Sequence, residues 1–218
     1  MTHPSITQRG RSHFSPLSTT QVRRPGSGWS RSSGFSGRDA PDCLVAIHRV
    51  HRSQSTGAGS MGPSTVLFGS DQTPHHQYMQ IGGSALQLST EVFLAVVEQR
   101  PSVRNLMLRF VHVFMTQTAQ SALVNGSSVV EERLARWVLM CRDRLDMDEF
   151  PITHDFLSMM LGERRSSVTD AIHLLEGDSL IRATRGNIKI LDRVRLERAA
   201  GASYGVPEAE FRRLIGQL

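Results

Sequence analysis

Residues 151–182 read PITHDFLSMMLGERRSSVTDAIHLLEGDSLIR, and the spacing of their apolar positions decides the fold. Thr153 stands just ahead of a run in which Phe156, Leu157, Met160 and Leu161 recur at helical intervals, so its hydroxyl is placed to cap a helix. Gly162 ends that helix. A second helix is expected from about Ser166 to Glu176, with Val168, Ile172 and Leu175 on one face and Gly177 as its stop. Arg164, Arg165, Ser166, Ser167 and Asp170 lie at its start or on the opposite face. Two short helices with a glycine in the turn and arginines opening the second match a helix-turn-helix, whose second helix presents its N-terminal side chains to base edges in the major groove.

Working outward, Leu180–Ala183 and Ile188–Leu191 read as two strands joined by a turn at Thr184-Arg185-Gly186-Asn187, with Gly186-Asn187 at its apex. A hairpin directly after a recognition helix is a wing. Arg182, Arg185 and Lys189 make it cationic, suited to phosphates. A short helix at Arg193–Ala200 and another at Pro207–Ile215 follow.

Upstream, Ser128-Val-Val-Glu131 has the form of a capping box. It opens a helix that buries Val130, Leu134, Trp137, Val138, Cys141 and Leu145, and that leaves Arg133, Arg136, Arg142 and Arg144 on a solvated face. The loop at 146–149 is acidic. Before it, Pro101 opens a run to Val124 closed by Asn125-Gly126, about 36 Å of helix at 1.5 Å per residue. Val103, Leu106, Phe110, Val113, Gln117 and Val124 share one face, while Met107, Val111, Phe114, Met115 and Ala122 lie on others. A helix apolar around so much of its circumference needs more than one neighbour, and a second copy of itself is the economical one. A core helix of a monomer is the competing reading.

Thr65–Leu88 reads as a few strands, at Val66–Phe68, Tyr78–Ile81 and Ala85–Leu88, followed by a helix at Thr90–Glu98 capped by Ser89 or Thr90. His75 and His76 are expected to be loop residues. Residues 1–60 are rich in Ser, Arg and Gly and are expected to be disordered apart from one short strand at Cys43–Ile47. The change of composition near Met61 also admits out-of-frame or mis-started translation of this segment.

The chain has 218 residues, a net charge of +5 and a pI of about 10.2. Its first 60 residues hold eight arginines against two aspartates, and the remainder holds 17 basic and 18 acidic groups. The basic character therefore belongs to the tail, and a DNA surface elsewhere must be a local arrangement of sign. Two cysteines, far apart, support no zinc site or disulfide framework. No signal peptide or apolar run of about 18 residues is present, which favours a cytoplasmic protein with no membrane partner. The nine histidines are scattered, and no nucleophile, paired-carboxylate or metal constellation is visible. The reading is not an enzyme, with no cofactor and no metal.

EERLARWVLMCRDRL at 131–145, followed by FPITHDFLSMMLGERRSSVTDAIHLLEGDSLIRATRGNIKILD at 150–192, resembles the C-terminal DNA-binding domain of the Crp/Fnr family of transcription regulators. The resemblance covers about residues 61–215 and is most specific over 128–195. It implies a mainly α fold with a small β component: a winged helix-turn-helix, a long dimerisation helix before it, and a remnant of a cyclic-nucleotide-binding-type β-roll after a disordered N-terminus. The corresponding divisions are 1–60, 61–99, 100–126, 127–198 and 199–218. It further implies a homodimer on an inverted repeat of double-stranded DNA, with RNA polymerase as a further partner.

Residue by residue, the resemblance puts Arg165 where the family pairs an arginine with guanine and Ser167 where a hydroxyl meets phosphate. Ser166 and Asp170 occupy two more base-contacting places but depart from the family's Glu and Arg. Thr153, Arg164, Arg185 and Lys189 complete the expected DNA surface. Only the last strands of the effector-binding roll are recognisable, and neither a phosphate-binding loop nor an Fnr-type cysteine cluster is present, so no effector site is assigned. A regulator truncated in this way could instead act by pairing with a full-length relative.

Overall fold

In the computed structural model, the described residues are 18–22, 42–46, 60–61, 64–70 and 83–216. Four strands, β1 (Ser18–Val22), β2 (Asp42–Ala46), β3 (Ser60–Met61) and β4 (Gly83–Ser89), form an antiparallel sheet in the order β1-β4-β2-β3. The Ser/Arg-rich segment thus supplies strands beyond the single one expected near Cys43. The physical reason is pairing: β4 offers two edges, and β1 and β2 satisfy its backbone groups on both, in registers such as Thr20↔Ala85 and Leu44↔Gln87.

Val66–Phe68 belongs to a 3-10 helix, Ser64–Phe68, rather than to a strand. The amides of Gly69 and Ser70 fold back to the carbonyls of Val66 and Thr65 at 3.1 Å, with Gly69 at φ 77° completing the turn. This buries Val66 against Phe93 and Val97 of helix α1 (Thr90–Gln99), which Ser89 caps by accepting from the Val92 amide. Tyr78–Ile81, His75 and His76 lie outside the described residues.

Helix α2 (Pro101–Ser127) starts at its proline but runs through Asn125-Gly126 instead of stopping there. Its 27 residues make a rod of about 40 Å. Only the two residues Ser128 and Val129 separate it from α3 (Val130–Leu145). The expected capping box is absent: Val129 is the N-cap, and no side chain bonds to the first turn. Glu131 and Glu132 still place negative charge at that end.

Helix α3 is the centre of the C-terminal domain, buried on nearly every side. Leu134, Val138, Cys141 and Leu145 pack with Leu157, Leu161, Val168, Ile172, Leu175, Ile188 and Leu196 in one core. Trp137 meets the ring of Phe156 edge-on at 6.0 Å. Burial pushes the Cys141 thiol pKa up, which keeps it a packed apolar group.

Arg133 and Arg136 depart from the solvated-face expectation, being 8% and 5% exposed. Their stems are packed while their guanidinium groups reach across to neighbouring elements. Arg133 bonds the Glu163 carboxylate at 2.7 Å and the Leu161 carbonyl; Arg136 bonds Ser121 on α2 at 3.1 Å.

The remaining elements are β5 (Glu149–Pro151), α4 (His154–Leu161), α5 (Arg165–Gly177), β6 (Ile181–Thr184), β7 (Asn187–Ile190), α6 (Arg193–Ala200) and α7 (Val206–Leu214). Sheet order is β5-β7-β6. Glu149 therefore ends the acidic loop by entering a strand, and Phe150 beside it is fully buried. Gly177 is inside α5; the left-handed residue that turns the chain is Ser179, at φ 56°.

Candidate nucleic-acid interface

Residues 152–155, at and just before the start of α4, join the parts of the expected DNA surface. Thr153 caps the helix, its hydroxyl accepting from the Phe156 amide at 3.3 Å. One residue earlier, the Ile152 amide donates to the Gly186 carbonyl at 2.7 Å, which fixes the wing turn beside the start of α4. The turn itself is Arg185-Gly186, with Gly186 at φ 80° and Asn187 already paired with Thr184. Thr153 and Arg185, both exposed, are thereby neighbours in the fold despite their separation in sequence.

His154 and Asp155 make the corresponding links to α5. Thr169 donates its hydroxyl to the Arg165 carbonyl at 2.9 Å, so its oxygen is left to accept from His154 Nδ1 at 3.2 Å. That relay puts the proton of a neutral His154 on Nδ1. Asp155 Oδ1 lies 3.2 Å from Arg165 Nη1, and both side chains are exposed. Sequence reading missed both residues as positioning groups, because the turn that brings Asp155 to Arg165 is a tertiary feature with no spacing signal.

The helix-turn-helix angle is held from behind. Gly162 ends α4 in the left-handed conformation, φ 65°. Arg133 occupies the space behind this turn, bridging the Leu161 carbonyl and Glu163. At the other end of α5, Glu176 accepts from the Ala183 amide at 2.6 Å and so ties the recognition helix to the wing.

Arg164 is the N-cap of α5 and Arg165 its first residue; no side chain caps this end and its first turn holds no acid. The helix-dipole charge there adds to the two guanidinium groups. Ser166 and Asp170 are exposed and Ser167 is half-buried. On the wing, Lys189 stands in register with Arg182 on one side and Glu149 on the other, its ammonium 4.0 Å from the Glu149 carboxylate. The expected residues thus fall on α4, α5 and the hairpin, which form one connected structure. Among the described residues there is no group of three or more His, Cys, Asp or Glu able to hold a metal ion, and no helix is long and apolar enough to cross a membrane.

Comparison with known proteins agrees with this geometry. The model of the Crp-like helix-turn-helix domain matches residues 132–199, which span α3 through α6. Residues 132–199 are a Crp-like helix-turn-helix domain. The chain therefore carries a DNA-binding domain of the Crp-like helix-turn-helix kind over that span.

Solved structures similar to the whole fold include FixK2 from Bradyrhizobium japonicum, at 14% identity and a TM-score of 0.60 over 86% of this chain and 98% of that one. A putative Crp/Fnr-family regulator from Eubacterium rectale gives 17% identity and 0.54, over 84% and 89%. A CRP-family regulator from Thermus thermophilus gives 16% and 0.51, over 87% and 96%. The likeness in fold thus extends beyond the Crp-like domain. The sequence has no significant match among curated proteins.

Proposed function

We propose that this regulator binds an inverted repeat as a homodimer built on α2, with one Crp-like domain on each half-site. The observation that carries the dimer is the exposed apolar stripe of α2. Leu108, Met115 and Leu123 are 40%, 62% and 63% exposed, and Phe114 is 50% exposed. At 100° per residue Leu108, Met115, Ala119, Ala122 and Leu123 fall on one side. Arg109, Val113, Gln120 and Val124 fall on another, where α7 and the Crp-like domain lie. A monomer would leave the stripe in water; a second α2 would cover it.

On DNA, Arg165 reads guanine through O6 and N7, and Ser166 and Asp170 face neighbouring bases. Thr153, Arg164, Ser167, Arg185 and Lys189 hold phosphates and fix the register. Residues 127–198 form the DNA-binding unit, 100–126 the dimerisation helix and 61–99 the last part of an effector-type roll. The protein works in the cytoplasm, where RNA polymerase is its further partner.

Selection of bound duplexes from a random pool tests this reading. Two symmetry-related half-sites whose centres lie one helical turn, about 10 base pairs, apart support it. Recovery of single half-sites, or of no consensus, refutes the dimeric mode.

A further inference from the structure

Helix α7 lies outside the core of the Crp-like domain. That core extends to Ala200 and Tyr204, and none of its residues among those described comes from α7. Instead α7 turns back from the domain and packs along α2. Its path is defined at both ends. The Gly205 amide donates to the Glu208 carboxylate at 2.8 Å, starting the helix, and Pro207 in its first turn is buried.

Two tethers then join α7 to α2, and a third joins α2 to the turn just before α7. Gln120 Nε2 donates to the carbonyls of Ala202 and Ser203 at 3.3 and 3.5 Å. His112 Nε2 donates to Glu210 Oε1 at 2.9 Å. Arg109 Nη1 reaches the Leu214 carbonyl at 3.5 Å. From Arg109 to Gln120 is about 16 Å of helix, or three turns. Arg213, bonding both oxygens of Glu210 at 2.6 and 2.8 Å, holds that carboxylate in place for His112.

The direct joint between α2 and the domain is slender by comparison. Beside the buried Val124, it includes the Ser128-Val129 link and two long side chains from α3, Arg136 on Ser121 and Arg144 on Gln117. A two-residue link leaves two helices free to change their angle. Helix α7 closes a loop of contacts, running from α2 through α3 and α6 and back to α2, and a closed loop resists that change.

We propose that α7 is a brace that sets which half-site spacing this regulator accepts. The inference rests on the dimeric reading above. In a dimer joined through α2, the angle between α2 and the Crp-like domain fixes the separation of the two recognition helices. One base pair of spacer moves a half-site by about 3.4 Å along the duplex and turns it by roughly a tenth of a helical turn. A braced angle therefore rejects a spacer that is one pair too long or too short, and an unbraced one follows the DNA.

The test uses the full chain, a version ending at Tyr204, a Glu210→Lys variant and the charge exchange His112→Glu with Glu210→Lys. Ending at Tyr204 keeps that residue's bond to Asp143 and Arg193's bond to it, so the domain core is retained. Spin labels at Thr118→Cys on α2 and Arg195→Cys on α6, in a Cys43→Ser background and diluted with unlabelled chain, report the angle without DNA. Binding to the selected repeat with spacers one pair longer and shorter reports the consequence.

The full chain should give one narrow distance distribution and prefer its own spacer by at least about tenfold. Truncation and Glu210→Lys should broaden the distribution and reduce that preference below about threefold, and the charge exchange should recover both. An unchanged distribution in the truncated chain overturns the brace, and a broadened one with intact spacer preference overturns its role in spacing. If the full chain binds no inverted repeat, the dimeric reading fails, and the brace is judged by the distance distribution alone.

Discussion

Asp155 Oδ1 holds Arg165 Nη1 at 3.2 Å on the outer surface of the helix-turn-helix, with both side chains mostly in solvent. An ion pair this exposed contributes little to folding, about 0.2–1 kcal/mol. Its significance lies in where it holds the arginine. The pair keeps the guanidinium near the N-terminus of α5, and on the proposed DNA surface it also places a carboxylate where phosphates would approach.

Replacing Asp155 by Ala should therefore separate affinity from discrimination. Binding to scrambled DNA should tighten, because a repelling charge is lost, while preference for the selected site falls because Arg165 is no longer oriented. Stability should change by less than about 1 kcal/mol. Anisotropy titrations on both duplexes, with a thermal melt, measure all three quantities.

Arg133 is the opposite case, a buried cation whose loss strands its partners. Arg133→Met leaves the Leu161 carbonyl and Glu163 without their donor. Urea unfolding should show a loss of about 3 kcal/mol. Arg133→Lys, unable to reach both acceptors with a planar fork, should recover only part of it.

On α2, Met115→Glu places a charge in the middle of the exposed stripe. Sedimentation should show a monomer. Circular dichroism should be unchanged, since Met115 is 62% exposed and contributes nothing to the core of the Crp-like domain.

The attachment of α7 should depend on acidity. Arg213 and then His112 hold Glu210 well below the ordinary glutamate value of 4.5, at about 2. A depressed carboxylate pKa contributes stability above the unfolded value and loses it as pH falls through the folded one. Amide protection in α7, corrected for the intrinsic exchange rate, should therefore fall between about pH 4.5 and 2, and Glu210→Gln should abolish that step. Exchange in α3 should not follow it.

The helix-turn-helix and wing were legible because their signals are local. Thr153, Gly162 and Gly186 mark a cap, a helix end and a turn by their own chemistry, and Val168, Ile172 and Leu175 mark a buried face by interval. Signals that need a partner were not legible. Ser128 has the capping-box pattern, yet the chain starts α3 from Val129; Val66–Phe68 has strand composition, yet packing on Phe93 and Val97 folds it into a 3-10 helix. Arg133 and Arg136 look like surface residues until α4 and α2 are placed beside them. Asp155 joins the proposed DNA surface only through the turn that brings it to Arg165.

Arg165→Ala on the selected inverted repeat tests the DNA-reading surface most directly, when affinity is measured beside that for a scrambled duplex at several salt concentrations. The expected result is a loss of roughly 1–3 kcal/mol per half-site on the selected repeat and a much smaller change on scrambled DNA, so that the ratio of the two collapses. An unchanged ratio would contradict the assignment of Arg165 as the base-reading residue of this Crp-like domain.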